Sequence, residues 1–261
     1  MDVKEVGRYW EANAEAWTQL SRKGYDVYRD AHNTPAFLRM LPPIDGLDGL
    51  DIGCGEGANT RRLAELGARM TAIDIASTFI AHAQTLEADA PLGVAYRQAD
   101  AQALPYADGS FDFATAFMSL MDTPDAGKAL SEARRVLKPS GFLQFSILHP
   151  CFAPPERKVL RDDAQRPYAL RLARYFDTEK CRIDEWSFSA APAFERAAFP
   201  PFRVPYFHRT LTQWFDLIRS AELSIEALGE PMATEAEAEA TPSIADTRIA
   251  PLFLHVRARR A

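Results

Sequence analysis

Leu50-Asp51-Ile52-Gly53-Cys54-Gly55-Glu56-Gly57 sets three alternating glycines directly behind an apolar run, and a second run, Arg69-Met70-Thr71-Ala72-Ile73-Asp74, ends in a carboxylate. Alternating glycines let a ligand approach the backbone without side-chain obstruction. A carboxylate at the end of the second run can accept hydrogen bonds from two vicinal hydroxyls, so the pair points to a cofactor that carries a ribose. Gly53, Gly55 and Ala58 also satisfy the G-x-G-x-x-G/A spacing of dinucleotide sites, which keeps a dehydrogenase open. Asp51 weighs against it, because a carboxylate beside the loop repels a pyrophosphate and suits a cofactor end with positive charge.

These residues need strands to carry them and helices to cover them. Periodicity predicts helices within residues 5–40, with Trp10, Ala14 and Trp17 near one face, closed by Pro42-Pro43. Strands are expected at 50–54, 69–75, 93–99, 111–118 and 141–148, with helices at 58–67, 77–89 and 124–138 between them. That alternation predicts an α/β fold with a doubly wound, mostly parallel sheet. Residues 151–207 break the rhythm with scattered prolines among Tyr168, Tyr175, Phe176, Trp186 and Phe188, and read as an inserted cap. A helix at 210–221 and strands at 224–229 and 252–259 resume the sheet. The expected division is a helical lid at 1–43, a core at 44–150 and 208–261, and the cap at 151–207. The alternating Glu235, Glu237 and Glu239 read as a solvated face.

With 47% hydrophobic and 25% charged residues in 261, the chain can bury a substantial core. A net charge of -6 offers nucleic acid no general attraction and shifts the expectation to small-molecule substrates. The N-terminal residues lack the apolar core of a signal peptide and no apolar run is long enough to span a bilayer, so a cytoplasmic protein without a membrane partner is expected. Cys54, Cys151 and Cys181 read as reduced thiols rather than a disulfide framework. Either a monomer or a homodimer fits the composition.

Four ordered motifs extend the glycine loop: Thr71 to Ile75, Gln98-Ala99-Asp100-Ala101, Leu104 to Asp112 (LPYADGSFD), and Glu132 to Gly141 (EARRVLKPSG). Over about residues 48–150 the chain resembles the class I S-adenosylmethionine-dependent methyltransferases, in particular the small-molecule branch called methyltransferase type 11. The resemblance implies a seven-stranded Rossmann-like sheet with its last strand antiparallel, and S-adenosylmethionine as cofactor with S-adenosylhomocysteine as product. Gly53, Gly55 and Gly57 would line the methionine part, and Asp51 would contact its amino group directly or through water. Asp74 would hold the ribose, Ile75 would pack on the adenine, and Asp100 with the Ala101 amide would read the adenine edge. Phe117 and Met118 would close the pocket, although core packing accounts for Ile75, Phe117 and Met118 equally well.

Methyl transfer is a displacement in line with sulfur, so the protein must align an acceptor and exclude water. Cys54 needs no catalytic role. An oxygen acceptor calls for a base, and His149, after the fifth strand at the carboxyl edge of the sheet, is the candidate; a histidine that fixes the turn before Pro150 is the structural alternative. His208 is a weaker candidate. His149, Cys151, Cys181 and His208 match no zinc spacing, so no metal is expected. Tyr25, Tyr28 and Trp186 are candidate substrate contacts, and Arg29 or Arg39 could meet the cofactor carboxylate. Six cap arginines, Arg157, Arg161, Arg166, Arg171, Arg174 and Arg182, suggest a planar or anionic acceptor. A small-molecule O- or N-methyltransferase is the expected function. A non-catalytic S-adenosylmethionine-binding protein is the alternative; a nucleic-acid methyltransferase is disfavoured by acidity and by the lack of an Asn/Asp-Pro-Pro-Tyr/Phe segment.

Overall fold

Between residues 48 and 148 strands and helices alternate as the hydrophobic pattern demands. The structure is a computed structural model that describes residues 1–179 and 181–260. After two N-terminal helices, α1 (Val3–Arg22) and α2 (Thr34–Met40), come β1 (Asp48–Ile52), α3 (Ala58–Glu65), β2 (Arg69–Asp74), α4 (Ser77–Asp89), β3 (Ala95–Gln98), β4 (Phe111–Phe117), α5 (Ala126–Val136) and β5 (Leu137–Leu148). Then follow β6 (Glu156–Arg161), β7 (Pro167–Ala173), β8 (Arg182–Trp186), α6 (Ala193–Ala197), β9 (Phe202–Tyr206), α7 (Leu211–Ser220), β10 (Leu223–Gly229), α8 (Glu235–Ala240) and β11 (Phe253–Arg260).

The seven-stranded sheet has the order β10-β11-β5-β4-β1-β2-β3. Strands β1 to β5 pair in parallel, and β11 is antiparallel to both β5 and β10. The expected Rossmann-like architecture is therefore present. Strand order reverses between β1 and β4, which opens a crevice outside their carboxyl ends. The main core, with Leu50, Leu130, Leu143 and Phe145 fully buried, lies under that crevice. One boundary differs from expectation: β5 starts at Leu137, ahead of the Pro139-Ser140-Gly141 turn signal. Leu137 already pairs with Phe111, and a register shift before Phe113, with Ser140 at φ 62, carries the chain past the irregularity.

Helix α1 starts at a capping box between Asp2 and Glu5, each side chain accepting from the other's backbone amide at 2.8 Å. Its two tryptophans face different partners. Trp10 lies 6.3 Å from Phe79 of α4, whereas Trp17 lies 4.9 Å from Phe202 and 5.1 Å from Phe188. Asn13 adds a two-way bond to β9, donating to the Arg203 carbonyl at 2.9 Å and accepting its amide at 3.1 Å. The N-terminal helix and the β8–β9 hairpin therefore share one apolar cluster.

Residues 151–207 form two hairpins, β6 with β7 and β8 with β9, each a separate two-stranded sheet. Arg157 ties the first to the 242–248 turn through Asp246 at 2.7 Å. Helix α8, with Glu235 and Glu239 exposed, carries a Thr234–Glu237 capping box. Among the described residues no helix is long and apolar enough to cross a membrane.

Between α1 and α2, a π-helical turn at Arg29–Asn33 presents buried Asn33 to the sheet. Its Oδ1 accepts from Ser146 Oγ at 3.1 Å and pairs with His255 Nε2 at 2.6 Å. Burial lowers the His255 pKa from 6.5 to about 4, with the charges of His32 and Arg39 adding to the effect. A depressed folded-state pKa means stability that is full above pH 6.5 and is lost as pH falls towards 4. His255 alone should cost up to about 3 kcal/mol over that window. Urea unfolding of the wild type and His255→Gln at both ends of the range is expected to show a smaller acid loss in the variant.

Candidate functional site

A cavity of about 550 Å³ occupies the crevice and is walled by the loop after β1, the ends of β2 and β4, helix α1 and the β8–β9 hairpin. Gly53, Gly55 and Gly57 all have positive φ, at 75°, 56° and 88°, so the loop turns in a way side chains rarely tolerate. Its amides point inward. Gly53 and Cys54 both donate to the Ile73 carbonyl, Gly55 to Asp74 and Gly57 to the Cys54 carbonyl. What the loop shows the cavity is bare backbone flanked by Asp51, Glu56 and Asp74. Four of the loop amides are spent inside the protein, and the three carboxylates beside the loop oppose a pyrophosphate, which weighs against the dinucleotide alternative.

Asp74 sits in the wall with each carboxylate oxygen held by one backbone amide, Gly55 at 2.9 Å and Ala76 at 2.9 Å. Burial pushes its carboxyl up to about 6 while those two amides pull the other way. Each oxygen keeps a lone pair for a further donor, which suits two ribose hydroxyls. Asp100 takes both hydrogen bonds from Gln102 on Oδ1 alone, at 2.8 and 3.2 Å. Among the described residues its Oδ2 and the neighbouring Ala101 amide have no partner, which leaves an acceptor beside a donor, the complement of an adenine edge. Asp51 is buried, with Thr60 donating to one oxygen at 2.5 Å and Thr115 to the other at 2.8 Å; burial raises its pKa against the pull of those hydroxyls. The threonines set its orientation, and contact with a cofactor amino group falls to its remaining lone pairs. The residues present thus fit S-adenosylmethionine at three separate points.

Ile75, Phe117 and Met118 line the same cavity, as do Tyr25, Tyr28 and Trp186. Tyr25 donates to Glu195 at 2.9 Å and Tyr28 to Asp246 at 2.9 Å, so both hydroxyls are held from outside while the rings face inward. Arg29 lines the cavity but is paired with Glu56 at 2.9 Å and Asp30 at 2.9 Å; Arg39 is exposed and lies outside it.

Four expectations need correction. Gly57 does not line the cavity: a Cβ there would lie 2.7 Å from the Tyr96 hydroxyl, so this glycine serves the turn into α3. His149 also lies outside it, with Nδ1 accepting from the Cys151 amide at 3.2 Å and Nε2 paired with Glu230 at 2.8 Å. One ring nitrogen is spent on the turn and the other on Glu230, which leaves none to serve as a base. His208 is buried with Nε2 on the Tyr175 carbonyl at 2.8 Å and borders a separate surface hollow. The six cap arginines do not line the cavity either, because neighbouring acids and carbonyls engage each of them. Among the described residues no three metal-ligating side chains converge.

The structure also adds residues that the sequence reading passed over. Asp26 lines the cavity with its carboxyl pushed up to about 6 by burial, against the pull of Arg29. Asp122, directly after the apolar pair Leu120-Met121 beyond β4, is buried in the wall, and among the described residues its Oδ1 has no donor. An acid between such a pair and Pro124 at the switch point was the available signal.

Gly53 gives a direct test of the loop. A Cβ there would lie 2.4 Å from Ser119 Cβ, and Ser119 Oγ donates to the Ile52 carbonyl at 2.6 Å. Gly53→Ala is expected to cost roughly 3 kcal/mol by strain plus overpacking. Chemical denaturation reads the loss, and calorimetry with S-adenosylhomocysteine should show a matching fall in affinity.

Residues 50–145 match the sequence profile of the family described as a methyltransferase domain. A ubiquinone biosynthesis O-methyltransferase from Albidiferax ferrireducens is 35% identical over 151 residues, 57% of this chain and 59% of that protein. The 27-O-demethylrifamycin SV methyltransferase of Amycolatopsis mediterranei is 34% identical over 176 residues, 62% of this chain and 64% of that protein. The chain thus spans less than two thirds of either relative. A crystal structure of an S-adenosylmethionine-dependent methyltransferase from Mesorhizobium loti superposes with a TM-score of 0.69 at 28% identity, covering 87% of this chain and 96% of that one. With the inward-turned glycine loop and the Asp74 and Asp100 sites beside it, these likenesses agree: residues 50–145 form a methyltransferase domain, and the chain is similar in fold to the class I S-adenosylmethionine-dependent methyltransferases.

Proposed function

We propose that the protein transfers a methyl group from S-adenosylmethionine to oxygen or nitrogen of a small molecule. The observation that carries this reading is the extent of the cavity. Beyond the residues that fit the cofactor it continues to Asp122, Asp184, Trp186, Phe188 and Tyr206, which supply a second, largely aromatic wall. A second wall suits a second molecule and favours catalysis over cofactor binding alone. The bound cofactor supplies an electrophilic methyl carbon on a sulfonium. The protein's own part is to hold ribose and adenine through Asp74, Asp100 and Ala101, to align the acceptor against the aromatic wall and to keep water out.

In this reading residues 1–43 act as a lid and 151–207 as a substrate cap on the core. Three unpaired thiols, Cys54, Cys151 and Cys181, suit a reducing compartment, and we place the protein in the cytoplasm. The test is in two steps. Calorimetry should detect S-adenosylhomocysteine binding to the purified protein. Incubation with S-adenosylmethionine and a protein-free cell extract should then yield S-adenosylhomocysteine and a methylated small molecule by mass spectrometry. Binding without turnover would favour a non-catalytic protein, and no binding would remove both readings.

A further inference from the structure

Asp122 ends the 3₁₀ turn Leu120–Asp122 that follows β4. It is 4% exposed, yet it faces the cavity, and among the described residues its Oδ1 finds no donor. A buried carboxylate left bare is costly, and its persistence in a cavity wall points to a ligand that supplies the missing donor.

The surroundings explain why no side chain satisfies it. Arg209, the nearest buried cation, spends Nη2 on the Thr123 and Pro124 carbonyls, both at 2.9 Å, and Nη1 on the Phe207 carbonyl at 3.1 Å. Those bonds, with the Phe207 amide on the Met121 carbonyl at 3.0 Å, clamp the turn in place. On β8, Arg182 gives Nε and Nη2 to Asp184, and its guanidinium lies 4.8 Å from the centre of the Tyr206 ring. Two of its donors are therefore committed to Asp184, while its Nη1 is buried without a partner among the described residues. The acceptor end is left with aromatic faces, one ion-paired carboxylate and one bare carboxylate. An anionic acceptor would meet Asp122 and Asp184, so the wall suits a neutral planar molecule that offers an O–H group.

We propose that Asp122 is a catalytic residue that takes the hydroxyl proton of a neutral phenolic or enolic acceptor as that oxygen receives the methyl group. The proposal rests on the methyltransferase reading above. The acceptor O–H bond breaks and its proton passes to an Asp122 oxygen. The acceptor oxygen forms the new O–C bond, the methyl–sulfur bond breaks, and its electron pair stays on sulfur, turning the sulfonium into a neutral thioether. Asp122 then loses the proton to water once product leaves. Burial, and next to it the charge of Asp184, hold the Asp122 carboxyl well above the ordinary range, with Arg209 opposing them. Cys181 and Tyr206 are the other titratable groups close enough to feel its charge. A base so tuned is better matched to a phenol than an ordinary aspartate is.

The test uses 4-nitrocatechol, whose visible band reports loss of its own hydroxyl proton. Calorimetry first measures S-adenosylhomocysteine binding to wild type and Asp122→Asn, expected to be equal. The probe is then titrated into both complexes at a pH below its own pKa. The wild-type complex should bind it with the ionised band present, whereas Asp122→Asn should lose the band and about tenfold in affinity. If the asparagine variant does not fold, as judged by circular dichroism, Asp122→Ser takes its place. Identical spectra in wild type and variant, or no probe binding to a wild-type complex that does hold S-adenosylhomocysteine, would overturn the assignment of Asp122 alone. Failure of S-adenosylhomocysteine to bind the wild type would remove the methyltransferase reading and the proposal with it.

Discussion

Asp74→Ala is expected to weaken S-adenosylhomocysteine binding by roughly two to four powers of ten, read by calorimetry. The carboxylate has two duties: it anchors the Gly55 and Ala76 amides, and it keeps lone pairs for the ribose. A hydrogen bond to a charged group contributes about 1.5–3 kcal/mol, and removing two of them gives the stated range. The pH profile is a second signature. Burial puts the Asp74 pKa at about 6, and a ribose donates to the ionised form. Below about pH 6 binding must expel a proton, so affinity should fall on acidification and level off above that value, with Asp74→Asn flattening the curve. An affinity unmoved by alanine, or one that rises in acid, would detach Asp74 from the ribose.

Trp17→Ala should have the largest effect on stability, about 2–4 kcal/mol by denaturant titration. Its indole packs edge-on against Phe188 at 5.1 Å and Trp186 at 5.3 Å, tilts onto Phe202 at 4.9 Å, and meets Trp10 edge-on at 5.6 Å. Deleting it leaves a void where α1 meets the β8–β9 hairpin, with the Asn13–Arg203 pair, the Tyr9–Arg203 contact and the packing of Ala16 and Leu20 left to tie the two. Limited proteolysis should cut residues 187–201 faster in the variant. A loss below about 1 kcal/mol would mean that the hairpin holds its place without the helix.

Local signals carried the sheet and the loop. Helix α4 fell where 77–89 was expected because its core-facing residues Phe79, Ile80 and Ala83 keep helical spacing, and β2 because buried Met70, Ala72 and Ile73 lead up to Asp74. The two hairpins in residues 151–207 were not legible. Phe188 and, on β9, Phe202 are buried against Trp17, which lies far away in sequence, and only the fold brings them together. The same reason separates the readable half of the site from the rest. Asp74 and Asp100 stand in contiguous motifs, whereas His149 looked chemical from its place at a strand end and proved to be committed to its own turn and to Glu230. The isolation of Asp122 depends on Arg182 and Arg209 having other partners, a fact that no spacing encodes.

Strand β11 is the last of the seven to be synthesised, yet it lies inside the sheet, pairing with β5 from Phe253↔Leu148 to Arg259↔Phe142 and with β10 on its other side. On the ribosome, then, β5 waits with an open apolar edge and β10 waits with no neighbour until residues 253–260 emerge. Such an edge is the kind that pairs with other chains, and closing it means joining segments more than a hundred residues apart. The nascent chain is therefore most exposed to aggregation before residues 253–260 arrive, and a chain cut ahead of residue 253 would have a split sheet rather than a trimmed one.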